Sequence, residues 1–298
     1  MNGRRLLAVL GLTAAVWIGV AVLFLLLAGD LGGGGGERGA AWLGPRVAIV
    51  EVEGLILDVE DLLRDLRGHR DNPQVRAVVV RINSPGGVVG PSQELHQALR
   101  RVREGGKPVV ASLGAVAASG AYYIAVAADR IYANPGTLTG SIGVIMQMAN
   151  LEHLMKKVGV EYVVIKAGQY KDLGNIARPM TPEERRVLQA LLDDVHAQFI
   201  TAVAEGRRMD RAQVAQFADG RVFSGLQAKG LGMVDELGGL EDAVNAAARL
   251  AGLPLPPAVI PPRRRFDLFE LLGARLGLAR AGLTPALPVF KTPLYLMD

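Results

Sequence analysis

Hydrophobic positions follow two alternating patterns over most of the chain. Short runs of β-branched residues occupy 47–52, 77–82 and 108–114, whereas residues 58–68 and 91–104 repeat apolar side chains at helical spacing. The uninterrupted runs are typical of strands that are buried on both faces of a sheet. Strands that alternate with helices predict an α/β fold with a largely parallel sheet and right-handed crossovers.

The same alternation continues further along the chain. Thr181 begins a long helix that we expect to run to about Gly206, because threonine caps a helix and proline is tolerated in its first turn. The remaining predicted elements are short strands at 130–133, 141–146 and 161–166 and helices at 121–128 and 150–159.

The N-terminal region predicts a membrane anchor. Residues 6–29 contain no charged side chain, and a helix of 24 residues is long enough to cross a hydrocarbon core of about 30 Å. The alternative is a cleaved signal peptide, but its apolar part is normally shorter, about 7–15 residues. Arg4 and Arg5 precede the span, so the positive-inside rule places the N-terminus in the cytoplasm and the rest of the chain outside it.

Composition shifts divide the chain into four parts. We expect an anchor at 1–30, a glycine-rich linker at 31–45, a folded domain at 46–252 and a C-terminal segment at 253–298. The last segment is first proline-rich, then amphipathic, and ends in an apolar tail. This tail could add as a strand in a neighbour's peptide groove, but a contact between subunits is the simpler interpretation and the one we favour.

The overall composition excludes several functions. Cysteine is absent, which rules out disulfides, a thiol nucleophile and a cysteine-ligated metal. The net charge of +4 is spread along the chain without a basic, aromatic-rich stripe, so we expect no nucleic-acid partner.

Two small-residue segments follow predicted strands and could carry chemistry. Residues 83–87, Asn-Ser-Pro-Gly-Gly, come directly after the strand at 77–82, and Ser119-Gly120 begins the helix after the next strand. Each is ordinary in isolation, one as a turn and the other as a helix cap. Together they place a serine beside backbone N–H groups at the sheet edge where α/β folds bind ligands, the arrangement that acyl transfer requires.

A serine nucleophile needs a base, and the sequence favours a lysine. The four histidines (His69, His96, His153 and His196) have no position suited to a catalytic triad, and we interpret all four as structural or solvated. Lys166 and Lys171 follow the strand predicted at 161–166. Most lysines are solvated, but burial can lower the pKa of a lysine from about 10.4 to about 5–6, giving a neutral amine that accepts a proton. Spacing alone does not choose between Lys166 and Lys171.

Six ordered blocks resemble the signal peptide peptidase A family in its short, single-domain form. The similarity extends over about residues 46–250 and rests on these segments: RINSPGG at 81–87, VAASGAYYIAVAAD at 116–129, NPGTLTGSIGVI at 134–145, KAGQYKDLG at 166–174, MTPEER at 180–185 and DGRVFSGLQAKGLGMVDELGG at 219–239.

The resemblance implies a Clp/crotonase-like fold and a Ser-Lys dyad that hydrolyses signal peptides left in the membrane. Its nucleophile matches Ser119, its general base Lys171 and its lysine-orienting serine Ser141. An oxyanion N–H falls on Gly86, and we add that of Gly120. The family assembles into ring-shaped homo-oligomers and implies neither a cofactor nor a metal. Tandem-domain members place the lysine in the other half of the chain, whereas here we expect a largely intra-chain site.

Two rival functions remain compatible with the sequence. A crotonase-like acyl-CoA enzyme shares the fold type and would retain a CoA ligand without using a serine nucleophile. A catalytically inactive scaffold would bind membrane-derived peptides without turnover.

Overall fold

The computed structural model describes residues 44–263, together with Trp17 and the backbone of residues 294–296. Its strands are β1 (Arg46–Glu53), β2 (Val75–Ser84), β3 (Gly86–Val88), β4 (Val109–Ala118), β5 (Arg130–Ala133), β6 (Leu138–Gly140), β7 (Val222–Ser224), β8 (Glu236–Leu237), β9 (Ala258–Ile260) and β10 (Leu294–Leu296). Its helices are α1 (Glu60–Asp71), α2 (Val89–Glu104), α3 (Gly120–Ala125), α4 (Glu152–Val158), α5 (Pro182–Arg207), α6 (Arg211–Ala215), α7 (Gly225–Gly230) and α8 (Leu240–Leu250).

A mostly parallel sheet forms the centre of the fold. Its main strand order is β7-β6-β4-β2-β1-β9; β5 also pairs with β4, and β8 pairs with β5. Only the β6–β7 pair is antiparallel among the described pairs of this sheet. The predicted mixed α/β class with a largely parallel sheet is therefore confirmed.

Helices cover both faces of this sheet. Because both faces are buried, the strands are continuous apolar runs in the sequence. On one face, α2, α3 and α5 contribute Leu99, Tyr122 and Phe199 to a core that includes Val78 and Val80 of β2. On the other face, α8 packs its alanines against alternate residues of the strands. Side chains of β2 point alternately to the two cores, so both faces must be apolar.

Register brings three strand ends to one edge of the sheet. Ser84 at the end of β2 is paired with Ala117 of β4 across a register shift, and Gly140 at the end of β6 is paired with Ala118. Parallel strands present their carboxyl ends together, so the segments that follow β2, β4 and β6 meet at this edge. The candidate site is built from those segments.

Two predicted strands are wrong. Residues 141–146 contain only one isolated bridge residue, and the strand lies immediately before them, at β6. Residues 161–166 have no helix or strand, and most of their apolar side chains are exposed because no strand of the described chain pairs with them. At 161–166, apolar, β-branched composition therefore predicted a strand that has no partner strand among the described residues.

The two ends of the chain are described only in part. The first described strand, β1, begins at Arg46, and β9, which lies in the predicted C-terminal segment, pairs with β1 in the main sheet. The predicted anchor at 1–30 lies outside the described residues except for Trp17. Within the described part of the chain, no helix combines the length and the apolar character needed to cross a bilayer.

Candidate active site

Ser119 occupies the turn between β4 and α3. Its backbone has φ 54° and ψ −121°, a conformation that non-glycine residues rarely adopt. Two hydrogen bonds hold this turn: the Ser119 N–H donates to the Gly140 carbonyl at 2.8 Å, and the Tyr123 N–H donates to the Ser119 carbonyl at 2.9 Å. The serine predicted as nucleophile therefore lies in a strained turn fixed by its neighbours.

The Ser119 hydroxyl is buried and has no hydrogen-bond partner among the described residues. Buried polar groups are nearly always paired, because an unmade hydrogen bond costs about 1–3 kcal/mol. A buried, unpaired hydroxyl on strained backbone at a sheet edge is typical of a functional site.

Ser141 follows β6 as Ser119 follows β4. It also has positive φ, 50°, is 5% exposed, and its N–H donates to the Arg221 carbonyl at 2.9 Å. The Thr139 hydroxyl donates to the Ala117 carbonyl at 2.7 Å and ties β6 to β4 next to both serines. Ser141 lines a cavity of about 980 Å³ whose other walls include Ile145, Leu192 and Val222.

The Gly86–Gly87 segment forms β3 at the same edge. The Ile56 N–H donates to the Gly86 carbonyl at 2.9 Å, and a Cβ atom on Gly87 would lie 2.1 Å from the Ile56 carbonyl oxygen. Only glycine fits such a close approach. The Gly86 N–H, which the resemblance implies as an oxyanion donor, here donates to the Ser84 hydroxyl at 3.1 Å.

Gly120 is the first residue of α3, is buried and directly follows Ser119. The first N–H groups of a helix have no acceptor within the helix, so this N–H points out of the helix end beside Ser119. It is the second backbone donor that sequence analysis assigned to the oxyanion.

Lys166 and Lys171 have different environments. Lys166 forms an ion pair with Asp172, and its ammonium also donates to the Gln169 carbonyl at 2.9 Å. The side chain of Lys171 is exposed and makes no hydrogen bond or ion pair with the described residues. Because the Ser119 hydroxyl is also unpaired, the expected hydrogen bond between Ser119 and Lys171 is not made within the described chain.

The segment that leads to Lys171 has an unusually apolar surface. Val163 is 73% exposed and Ile165 97% exposed, and the same segment exposes Leu154, Val158, Val160 and Tyr162. Contiguous apolar exposure of this kind marks an interaction surface.

No histidine forms a hydrogen bond with the Ser119 hydroxyl among the described residues, because that hydroxyl has no partner there. His96 is buried with its ring centroid 4.9 Å from that of Tyr123, and burial lowers its pKa to about 4. Asp129 accepts a hydrogen bond from the Val109 N–H and pairs with Arg103. Both residues have structural roles.

The described part of the C-terminal tail lies against β3. Residues 294–296 form β10, which pairs antiparallel with β3 so that Leu296 lies opposite Gly86 and Tyr295 opposite Gly87. Its Cα atoms also come within 8 Å of those of α3, the helix that follows Ser119. The sequence suggested such a strand in a neighbour's groove and favoured a subunit contact, whereas residues 294–296 pair with β3 of the same chain.

Sequence reasoning missed two features of the site. Ser84 accepts the Gly86 N–H; a serine two residues before a glycine, in an Asn-Ser-Pro-Gly turn, is the signal that indicates such a local bond. Asp172, Arg178 and Glu184 form a partly buried ionic cluster, and Asp172 directly follows Lys171 in the sequence. Their spacing gives no helical or strand period, so no simple pattern indicates it.

Comparisons with known proteins identify the family of the chain. The sequence model of peptidase family S49 matches residues 101–254, which include Ser119, Ser141 and Lys171. A Synechocystis protein named as a candidate protease is 48% identical over 210 residues, covering 70% of this chain and 75% of its own. Protease 4 of Salmonella typhi is 36% identical over 70% of this chain but only 35% of its own length. The chloroplastic serine protease SPPA of Arabidopsis thaliana is 36% identical, over 68% of this chain and 30% of its own. The chain therefore belongs to peptidase family S49, the signal peptide peptidase A family of serine proteases.

Proposed function

We propose that this protein is a membrane-anchored serine endopeptidase that hydrolyses remnant signal peptides through a Ser119–Lys171 dyad. The observation that carries the proposal is the buried, unpaired Ser119 hydroxyl, held on strained backbone beside two glycine-rich segments. Family membership supports the serine protease activity. The dyad, the substrate and the membrane location are our inferences.

Acyl transfer proceeds in two halves. The neutral Lys171 amine accepts the Ser119 proton as the serine oxygen attacks the peptide carbonyl, and the lysine then protonates the departing amine. The N-terminal part of the substrate stays esterified to Ser119 until water, activated by the same amine, releases it. The Gly120 N–H donates a hydrogen bond to the oxyanion. The Gly86 N–H becomes a second donor once its hydrogen bond to the Ser84 hydroxyl is broken.

We infer that the dyad is completed between neighbouring copies of the chain. Lys171 is exposed in the isolated chain, and the segment that leads to it exposes Val163 and Ile165. Packing this segment against a second copy would cover the apolar side chains and remove water from the amine. Desolvation of a lysine favours its neutral form, which the mechanism needs. A ring-shaped homo-oligomer supplies such an interface at every subunit.

The substrate class follows from the proposed binding edge. β3 pairs with an antiparallel strand, β10, beside the nucleophile, so an extended peptide can bind there through its main chain. Apolar, small-residue signal peptides suit such an edge. The anchor predicted at 1–30 would hold the peptidase domain outside the cytoplasm, close to peptides left in the bilayer.

Three variants test the dyad. Ser119→Ala and Lys171→Ala should each reduce cleavage of a synthetic signal peptide by at least about 10³-fold, because nucleophile and base act as one unit. Lys166→Ala is the comparison variant: Lys166 pairs with Asp172 and is not the proposed base, so any loss of activity should stay well below that of Lys171→Ala. An acylating serine inhibitor should label wild type at Ser119 and label neither Ser119→Ala nor Lys171→Ala. Robust turnover by either dyad variant would contradict the proposal.

The same purified protein separates the two rivals. A crotonase-like acyl-CoA enzyme predicts retention of a CoA ligand and no labelling of Ser119. An inactive scaffold predicts peptide binding without turnover. Cleavage together with labelling at Ser119 excludes both.

A further inference from the structure

A cluster of ionic side chains holds the turn that contains Lys171. Asp172, the next residue, is the centre of this cluster: its side chain is 11% exposed and accepts from Arg178 Nη2 at 3.0 Å and Nε at 3.2 Å. It also pairs with Lys166 and accepts from the Asn175 amide at 3.4 Å. The residue after the proposed base is thus fixed while the base itself remains free among the described residues.

Arg178 links this turn to helix α5. Its Nη1 donates to Glu184 Oε2 at 2.8 Å, and its Nη2 contacts Glu184 Oε1. Glu184 is only 7% exposed in its side chain and also accepts the Thr181 N–H at 2.9 Å, closing the capping box of α5. One guanidinium therefore bridges a carboxylate of the turn to a carboxylate of a long helix.

The charges of the cluster match each other. Hydrogen bonding from Lys166 and Arg178 keeps the pKa of Asp172 far below its ordinary value, and Arg178 lowers the pKa of Glu184 to about 2. Both carboxylates are ionised at neutral pH, and Arg178 is the cation that contacts both. The planar guanidinium fork suits such a double contact, which a lysine cannot reproduce.

Few described backbone hydrogen bonds tie this turn to other elements. Residues 159–181 contain no helix or strand, and most of their backbone hydrogen bonds join near neighbours, as from the Lys171 N–H to the Gly168 carbonyl. One long-range bond, from the Leu151 N–H to the Ile176 carbonyl at 2.6 Å, ties the segment to the start of α4 rather than to α5. The ion pairs of Arg178 are therefore the described polar contacts that join the turn to α5.

We propose that Arg178 is a positioning residue for the Ser-Lys reaction, because it holds the Lys171 turn against the first turn of α5. This inference rests on the proposed function, since it requires Lys171 to be the base. A reacting group displaced by about 1 Å can lose about 100-fold in rate, so loosening the turn reduces turnover before it unfolds the protein.

The test compares Arg178→Ala, Arg178→Lys and Glu184→Gln, with Lys171→Ala in the same series. Arg178→Ala should lower kcat about 100-fold while KM changes less than about twofold, because binding at β3 does not involve the turn. Arg178→Lys should recover only part of the loss, since a lysine binds as a point charge. Glu184→Gln should also lower kcat, although glutamine still completes the capping box.

Glu183→Gln is the matched control. Glu183 is the preceding residue of the same helix turn, and its partner Arg186 is 74% exposed, so its loss should leave kcat within about twofold. Thermal midpoint and oligomer mass are measured for every variant. The proposal requires the kcat losses at unchanged mass and with a folded protein at the assay temperature.

Three results would overturn the inference. Wild-type kcat in Arg178→Ala or in Glu184→Gln removes the positioning role. A loss of kcat that appears only together with dissociation or unfolding assigns Arg178 to stability alone. If Arg178→Ala does not fold, Arg178→Lys and Glu184→Gln decide.

The Lys171→Ala variant separates this inference from the proposed function. Activity retained by Lys171→Ala would refute the proposed base itself. An inactive Lys171→Ala together with a fully active Arg178→Ala would refute the positioning inference alone.

Discussion

At Ser119, backbone conformation and chemistry are coupled. Ser119 has a positive φ at the turn that follows β4, and its hydroxyl lies at the carboxyl edge of the sheet, between the segments that follow β2 and β6. Residues in such sparsely populated conformations store about 1–3 kcal/mol of strain. The hydrogen bonds from the Ser119 N–H to Gly140 and from the Tyr123 N–H to Ser119 hold the strained turn in place.

This strain can be separated from the chemistry with two variants that both lack the hydroxyl. Ser119→Ala keeps a Cβ at φ 54°, whereas Ser119→Gly removes it. We expect both to be inactive, but the free energy of unfolding of Ser119→Gly should exceed that of Ser119→Ala by about 1 kcal/mol. Denaturant titration measures the difference. Equal stabilities, or a more stable alanine variant, would mean that the turn is not strained.

Individual site residues could be predicted to different degrees. Ser119 follows from its position after a buried strand and before a small-residue helix. Sequence spacing leaves Lys166 and Lys171 equivalent, and the family resemblance is what selects Lys171. The folded chain adds that Lys166 is paired with Asp172. Ser84 was missed because its role is a local hydrogen bond to Gly86, which apolar periodicity does not indicate.

At the level of elements, β10 is paired with β3, the strand that we propose binds substrate. Deleting residues 286–298 should therefore raise kcat/KM for a signal peptide several-fold, with an unchanged oligomer. Tyr295→Pro should act in the same direction because proline cannot donate a backbone hydrogen bond, and Tyr295→Ala, which keeps the amide, is its control. Peptide kinetics and native mass measure the outcome. Unchanged cleavage would contradict occupancy of β3, and subunit dissociation would instead assign the tail to an oligomer contact.

The regular elements of the core could be predicted because the apolar residues of each follow a single helical or strand spacing and recognisable residues mark its ends. Thr181 and Glu184 illustrate this, since the capping box that they form marks the start of α5. Composition alone could not predict that 161–166 is irregular, because a β-branched segment becomes a strand only where a neighbouring strand pairs with it. β3 was missed for the opposite reason: its Gly-Gly-Val sequence has low strand propensity, and it forms through close approach to Ile56.

At the scale of the whole molecule, an isolated chain carries both halves of the proposed dyad without joining them. Ser119 is buried at the sheet edge, and Lys171 is exposed on a segment whose apolar side chains face solvent. This arrangement differs from the intra-chain site expected from sequence, and assembly of neighbouring copies reconciles it with the chemistry. Each copy would then supply its serine to one site and its lysine to another.

Complementation between two inactive variants tests this account most directly. Ser119→Ala supplies an intact lysine and Lys171→Ala an intact serine, so co-expression in equal amounts should restore about a quarter of wild-type turnover if subunits mix at random around a ring. Mixed assembly is verified by two affinity tags. Recovery of peptide cleavage near this level is the predicted result. Mixed oligomers that remain inactive would contradict a Ser119–Lys171 dyad shared between neighbouring copies.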